Sequence, residues 1–153
     1  VYIYDITNAD DPKYVSLYTH ITSCDPVVVN GNYAYATLST LSRCQHGVNE
    51  LDIFDVSNPA NPQAINTYPL TQPQGLGFKD SILYVCEGAA GLDVLDVSKP
   101  NEINKIHTIS GINTYDVIPY DSLLMVIGPS GLSQYDISDA ANPVHLSDIH
   151  VVH

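Results

Sequence analysis

The chain has 153 residues, of which 44% are hydrophobic, and it carries 17 acidic residues against 5 basic ones, for a formal net charge of −12. This composition is typical of a globular protein with an apolar core, whereas five scattered basic residues are too few to neutralise phosphate groups, which excludes a nucleic-acid partner. No apolar run approaches the ~18 residues that span a bilayer, so we do not expect a membrane-spanning protein.

Short apolar runs separated by turn-forming residues follow one another along the whole chain. Two of them, at 1–6 and 14–20, flank a polar turn that ends in proline. Segments 26–70, 74–109 and 115–150 each hold four such runs, separated by Gly, Asn, Asp and Pro. The pattern predicts short β-strands and turns, without helical periodicity of useful length, and therefore an all-β fold.

One tripeptide recurs four times: an aromatic residue or leucine, then aspartate, then isoleucine or valine. Its aspartates are Asp5, Asp55, Asp96 and Asp136, at intervals of 50, 41 and 40 residues, and a polar turn follows each copy. A carboxylate at a strand end accepts hydrogen bonds from turn amides, so we expect these aspartates to have a structural role. The alternative is a metal or acid–base role, but an active site normally breaks a repeat and does not recur in every copy.

A repeat of about 40 residues that holds four strands is typical of a β-propeller blade. One such sheet cannot bury both its faces, whereas sheets stacked face to face bury their apolar side chains between them. We predict a single β-propeller segment over 1–153, with a half blade at 1–20 and complete blades at 26–70, 74–109 and 115–150. Because a closed ring normally has more blades, we expect the chain to be part of a larger ring in a longer polypeptide.

A family resemblance rests on the string Gly91-Leu-Asp-Val-Leu-Asp-Val-Ser98 and its counterparts ending at 54–57 and 135–138. These strings resemble the LVIVD repeat, which is found in β-propellers of bacterial and archaeal cell-surface proteins. The resemblance covers nearly the whole chain. It implies an extracellular or cell-surface location, associated with the outer membrane in a bacterium, and a lipid anchor carried by the parent chain. It implies no chemistry, because the family shares no catalytic motif.

An insertion lengthens the first complete repeat by about ten residues between 37 and 51. It separates a second strand from a third and should therefore project from one rim of the propeller. Because loops on a rigid scaffold often carry recognition, Arg43, His46 and Asn49 are candidate contact residues. A neutral insertion, which surface loops tolerate at little cost, is the equal alternative.

Two of the three cysteines flank this insertion. A disulfide between Cys24 and Cys44 would pin the loop to the scaffold and stabilise the fold by about 3 kcal/mol on the chain-entropy estimate. That prediction depends on an oxidising compartment. Cys86 lies within an apolar run, where we expect a buried free thiol.

No catalytic motif is recognisable: the sequence has no Gly-x-Ser-x-Gly elbow, no phosphate-binding glycine loop and no zinc spacing. Asn8, Asp10 and Asp11 offer oxygens to Ca²⁺ but lack the alternation of a calcium loop, so no cofactor or metal is expected.

We therefore expect a non-enzymatic protein-interaction or scaffold module of a surface or outer-membrane complex, with protein partners. One alternative is a glycan- or nutrient-binding surface propeller. The other is part of a propeller enzyme whose site lies outside this segment, since fold alone does not set function.

Overall fold

The computed structural model describes residues 1–18, 26–40 and 47–151. This part of the chain contains fourteen β-strands and no helix, and hence no helix long and apolar enough to cross a membrane. The all-β prediction is confirmed. The strands are β1 (Tyr2–Asp5), β2 (Lys13–Leu17), β3 (Val27–Asn30), β4 (Tyr33–Leu38), β5 (Glu50–Asp55), β6 (Gln63–Pro69), β7 (Leu76–Lys79), β8 (Ile82–Cys86), β9 (Leu92–Asp96), β10 (Asn104–Ile109), β11 (Asp116–Tyr120), β12 (Leu123–Gly128), β13 (Gly131–Asp136) and β14 (Val144–His150).

The strands form four antiparallel sheets, in each of which neighbours in the chain are neighbours in space. The first sheet contains β1 and β2; the second, third and fourth contain β3–β6, β7–β10 and β11–β14. The hairpin between the first two strands of each complete sheet turns through one residue of positive φ: Gly31 (56°), Asp80 (57°) or Asp121 (52°). Glycine adopts this conformation freely and aspartate tolerates it, which explains the polar residues at these turns.

The sheets stack face to face, and the apolar core lies between them. The central strands of the third sheet are buried on both faces, because alternate side chains of a strand point to opposite sides. Leu83 and Val85 pack towards the second sheet, whereas Tyr84 and Cys86 pack towards the fourth. A smaller cluster around Phe54 joins the first sheet to the second. Each fully buried aliphatic side chain contributes roughly 1.5–3 kcal/mol, so these interfaces supply most of the stabilisation.

The three innermost strands run side by side, since β7 contacts both β3 and β11. The outer strands lie on the opposite side of the stack, where β14 is exposed along its whole length. Successive sheets are therefore arranged around a common inner edge.

Candidate functional site

Each aspartate of the repeat ends its strand, and its Oδ1 accepts a hydrogen bond from the backbone amide two residues further on. Hydrogen bonds from these same turn residues lower the pKa of all four carboxyls. The pairs are Thr7 with Asp5 (2.9 Å) and Ser57 with Asp55, Ser98 with Asp96 and Ser138 with Asp136 (2.8 Å each). The four carboxylates lie in four different sheets, and each one stabilises the turn that directly follows its strand.

The preceding sheet holds two of these turns in place. The hydroxyl of Ser16 on β2 donates a hydrogen bond to the carbonyl oxygen of Pro59. The side-chain amide of Asn66 on β6 donates a hydrogen bond to the carbonyl oxygen of Pro100 at 3.0 Å. The turns that join β1 to β2, β5 to β6 and β9 to β10 therefore line one edge of the stack. The β3–β4, β7–β8, β11–β12 and β13–β14 turns lie at this same edge, because the first residues of β4, β8 and β12 pair with the repeat aspartates that end β5, β9 and β13. We call this edge the turn rim, and the opposite edge the linker rim.

The turn rim is strongly acidic. Among the residues that the structure describes, ten acidic side chains stand here against three lysines. The acids are Asp5, Asp10, Asp11, Asp55, Asp80, Asp96, Glu102, Asp121, Asp136 and Asp139. The lysines, Lys13, Lys79 and Lys99, each form an ion pair with an acid of the same rim. The unevenness of the charge was not recognised in the sequence, because it emerges only when alternate turns are assigned to one edge.

Two of the three calcium candidates, Asn8 and Asp11, already have protein partners at this rim. Asn8 Oδ1 accepts a hydrogen bond from the amide of Asp10 at 3.2 Å, and the Asp11 carboxylate pairs with Lys13. Within the ranges that the structure describes, no three His, Cys, Asp or Glu side chains are grouped to hold a metal ion.

The two described ends of the predicted contact loop, at 38–40 and 47–50, lie on the linker rim, and most of the candidate residues fall outside the described ranges. This applies to Arg43 and His46 and to both cysteines of the predicted disulfide, Cys24 and Cys44. Asn49 is described: its Oδ1 accepts hydrogen bonds from the Thr40 amide (2.8 Å) and hydroxyl (3.0 Å). Its Nδ2 donates to the carbonyl oxygen of Thr71 at 2.7 Å. Asn49 thus ties the base of the insertion to the linker between the second and third sheets.

Glu87, directly after β8, is a buried acid that the sequence analysis did not single out. Only 2% of it is exposed, and its Oε2 accepts hydrogen bonds from the amides of Thr71 (2.7 Å) and Gln72 (2.6 Å). Burial raises the pKa of Glu87, and the two amide bonds act in the opposite direction. Together with Asn49, this carboxyl fixes the linker that leads into β7.

A second group that the sequence did not reveal is a cluster of cation, acid and hydroxyl between strands β9 and β10. Asp93 accepts hydrogen bonds from Lys105 (3.1 Å) and from the hydroxyl of Thr108 (2.6 Å). Asp93 is the first aspartate of the Leu-Asp-Val-Leu-Asp string, so its recurrence at Asp52 was an available signal. The Asp93 carboxylate raises the pKa of Lys105.

The fourth sheet repeats this cluster with its acid on the other strand. Asp148 on β14 accepts a hydrogen bond from the hydroxyl of Ser133 on β13 at 2.7 Å, and His145 lies 3.1 Å from the same carboxylate. Serine, histidine and aspartate thus meet here, but the hydroxyl donates to the carboxylate. An activated serine nucleophile donates to an imidazole, so this arrangement does not fit that chemistry.

These four stacked antiparallel sheets, arranged around an inner edge, define a segment of a β-propeller. The LVIVD repeat is recognised at residues 46–69 and 80–108. The chain therefore carries LVIVD repeats, as the sequence analysis predicted.

A solved structure supports the same fold. The chain is similar to one in a structure titled "Crystal structure of Nidogen/Laminin Complex", with a TM-score of 0.63 and 13% sequence identity. The similarity covers 92% of this chain and 52% of that one, so the present chain spans about half the length of the structure it matches. Comparison with curated proteins gave no match.

Proposed function

We propose that this chain is a protein-interaction module, a non-catalytic part of a β-propeller. The observation that carries the proposal is the repeat itself. Asp5, Asp55, Asp96 and Asp136 are each engaged by their own turn, so the signature of the repeat serves the scaffold. A rigid scaffold of this kind typically displays its rims and loops to a partner.

The charge of the turn rim suggests the chemistry of that partner. Ten acids and three lysines give this edge a formal excess of negative charge. A surface of one sign attracts a partner of the opposite sign, raising the association rate and fixing its orientation. The proposed partner is therefore a protein that presents a basic patch.

The proposed location is the cell surface, in a complex that a bacterium would hold at its outer membrane. This part of the proposal rests on the likeness to LVIVD proteins. The matched solved structure, which its title describes as a nidogen and laminin complex, is compatible with a propeller that binds another protein.

Site-specific photo-crosslinking in the producing cells tests the proposal. A photoreactive residue replaces Asn58 or Ala140 at the turn rim, or Ser110 at the linker rim as the positional control. We expect Asn58 and Ala140 to capture one and the same protein with a basic surface, and Ser110 not to capture it.

Two sets of charge variants give the experiment a matched control. Asp10→Asn, Glu102→Gln and Asp121→Asn together remove three charges from the turn rim, whereas Glu50→Gln, Asp116→Asn and Asp148→Asn remove three from elsewhere. Capture should fall about tenfold in the rim variant, in line with electrostatically assisted association, and stay unchanged in the other. Equal effects of the two sets would contradict a docking role for the turn rim.

Glycan binding is the second candidate, and one observation favours it. Tyr4 and Tyr14 form an exposed edge-to-face pair with ring centroids 6.0 Å apart on the outer face of the first sheet. Exposed aromatic rings stack on sugars. Saturable binding on a glycan array that is lost in Tyr4→Ala, without any protein captured at the turn rim, would favour this candidate over the first.

A further inference from the structure

Three equivalent positions at the linker rim carry very different side chains. Each lies five residues after the residue that pairs with the repeat aspartate of its sheet, at positions 33, 82 and 123. The three residues are Leu38, Glu87 and Gly128. Leu38 and Glu87 are both buried, so each of them fills space inside the stack. Gly128 has no side chain that could fill it.

In the third sheet this space holds charged groups of the protein itself. The carboxylate of Glu87 accepts hydrogen bonds from the amides of Thr71 and Gln72, in the linker that leads into β7. Burial raises the pKa of Glu87, the two amide bonds lower it, and Asp93 and Lys105 also act on it, in opposite directions. The third sheet thus fills the position with a carboxylate that two linker amides hold and an ammonium group attends.

The corresponding space in the fourth sheet is a cavity of about 220 Å³. Its lining includes Ile112, Asn113, Val126, Gly128 and Asp148. Because Val126 packs towards the third sheet, the cavity lies between two complete four-stranded sheets. Gly128 leaves the space open, and a Cβ at this position would also collide with the carbonyl oxygen of Asn113. At roughly 30 Å³ per water molecule, the cavity matches a ligand of about six or seven non-hydrogen atoms.

The linker that lines this cavity corresponds to the linker that holds Glu87. Ile112 and Asn113 precede position 117 of β11 by five and four residues. Thr71 and Gln72 precede the equivalent position 76 of β7 by the same intervals. In the part of the chain that the structure describes, the backbone amides of Ile112 and Asn113 donate to no acceptor. They are therefore available to a ligand.

Hydrogen bonds fix this linker to the third and fourth sheets. The amide of Thr114 donates to the carbonyl oxygen of Gly88 at 3.0 Å, and its hydroxyl donates to that of Gly91 at 2.6 Å. The next amide, that of Tyr115, donates to the carbonyl oxygen of Ile127 at 2.7 Å. The cavity is therefore preformed, and a ligand does not have to order the linker when it binds.

The outer strand presents an ionised carboxylate to the cavity. Asp148 Oδ1 accepts a hydrogen bond from the Ser133 hydroxyl and lies 3.1 Å from the imidazole of His145. Hydrogen bonds from these two side chains hold the pKa of Asp148 below its usual value, so the group is charged at neutral pH. Among the described residues, none donates a hydrogen bond to its Oδ2. A charged oxygen with a free site binds cationic donors most strongly.

We propose that this cavity is a binding site for a free α-amino acid with a small side chain. The carboxylate of the ligand accepts hydrogen bonds from the amides of Ile112 and Asn113, as the carboxylate of Glu87 does from the equivalent amides. Its ammonium group binds Asp148 Oδ2, and its side chain contacts Val126. L-Alanine has the size that the cavity admits. This inference goes beyond the proposed function, because it requires no protein at the turn rim.

Nuclear magnetic resonance titration of the ¹⁵N-labelled protein with L-alanine tests the proposal. We expect saturable shifts of the Ile112 and Asn113 amides, with a Kd of about 1 mM or tighter. The amides of Thr71 and Gln72 are an internal control that should not shift, because Glu87 already occupies them. Absence of saturable shifts at 112 and 113, or equal shifts in both linkers, overturns the proposal.

Two related compounds test the two ends of the ligand. Lactate has a hydroxyl in place of the ammonium group, and alaninamide has an amide in place of the carboxylate. Each loses a charge-assisted hydrogen bond and should bind at least about tenfold more weakly than alanine. If one of them binds as tightly as alanine, the corresponding contact does not exist and the proposal is wrong.

Two charge variants at exposed positions locate the ammonium end of the ligand. Asp148→Asn should weaken alanine binding at least about tenfold, while lactate should bind no more weakly than before. Asp121→Asn removes a carboxylate at the turn rim of the same sheet and should leave alanine binding unchanged. The dispersion of the amide spectrum shows that each variant is folded. Equal effects of the two variants on alanine binding overturn the proposal. The titration does not depend on crosslinking at the turn rim, so this proposal and the proposed function can fail separately.

Discussion

Gly91→Ala should be among the most damaging small substitutions in this chain. Gly91 immediately precedes β9 with φ of 105°, a conformation that costs an L-residue about 1–3 kcal/mol. An added Cβ would lie 2.2 Å from the carbonyl oxygen of Ile109 on the neighbouring strand, so the backbone must move. That movement would weaken the buried hydrogen bond from the Thr114 hydroxyl to the Gly91 carbonyl, now 2.6 Å, at a further cost of about 1–3 kcal/mol. The two contributions together give an expected loss of roughly 2–6 kcal/mol.

Two other glycines distinguish the cost of a positive φ from the cost of the close approach to Ile109. Gly31 has φ of 56° but open space around its Cβ position, so Gly31→Ala should cost only about 1–2 kcal/mol. Gly47 has neither constraint, and Gly47→Ala should stay within about 1 kcal/mol of the parent. Thermal melts followed by circular dichroism should rank the variants in this order, with Tm falling by roughly 2–4 °C per kcal/mol for a chain of this size. If Gly91→Ala and Gly31→Ala have the same Tm, the close approach to Ile109 does not affect stability and the reasoning is wrong.

Two further predictions concern titratable groups. The pKa values of the repeat aspartates are lower in the folded chain than in the unfolded chain, where they are about 3.9. Their contribution to the free energy of unfolding is therefore complete above the unfolded pKa and is lost as the pH falls through the folded pKa values. Asp136→Ala should therefore lower the free energy of unfolding at pH 7 and flatten its decline on acidification, as urea titrations at several pH values would show. Burial raises the pKa of Cys86 to about 12, so peptide mapping should find this thiol unmodified by iodoacetamide at neutral pH until denaturant is added; rapid native labelling would mean that the fourth sheet does not cover β8.

The repeat made the architecture predictable. Turn residues recur at fixed offsets from Asp55, Asp96 and Asp136, and strands between such turns can only bury their apolar faces by stacking. Gly91 and Gly131 could also be recognised at equivalent positions, although the sequence did not disclose why glycine is needed there. The structure supplies the reason, since a Cβ at either position would meet a carbonyl oxygen of the adjacent outer strand.

The side-chain networks were not predictable in the same way. Glu87 is joined to Thr71 and Gln72 across a boundary between sheets, and no periodicity connects these positions. Asn49 was selected as a contact residue because it lies in an insertion, whereas the structure shows its amide bonded at both ends. Local sequence patterns reveal how strands and turns form, but contacts between sheets depend on which rim each loop reaches.

The clusters around Asp93 and Asp148 show what the repeat preserves when individual residues change. Asp93 on β9 lies opposite Thr108, and on the next sheet Ser133 lies opposite Asp148, so acid and hydroxyl have exchanged strands while their hydrogen bond is kept. A nitrogen of an outer-strand side chain, Lys105 in one sheet and His145 in the next, lies 3.1 Å from the acid in each case.

This exchange leads to a prediction about compensation between the two strands. Asp93→Ser should remove the partner of Lys105 and cost about 1.5–3 kcal/mol, because hydrogen bonds to charged groups are the stronger ones. Thr108→Asp should place a second carboxylate beside the nearly buried Asp93 and be at least as costly. Combining the two recreates the Ser133–Asp148 arrangement beside Lys105, so the double variant should be more stable than either single one, with a coupling energy of at least about 1 kcal/mol. Urea unfolding of the four proteins measures that coupling. If the losses in the free energy of unfolding are additive, the side chains at positions 93 and 108 do not compensate each other, and the prediction is wrong.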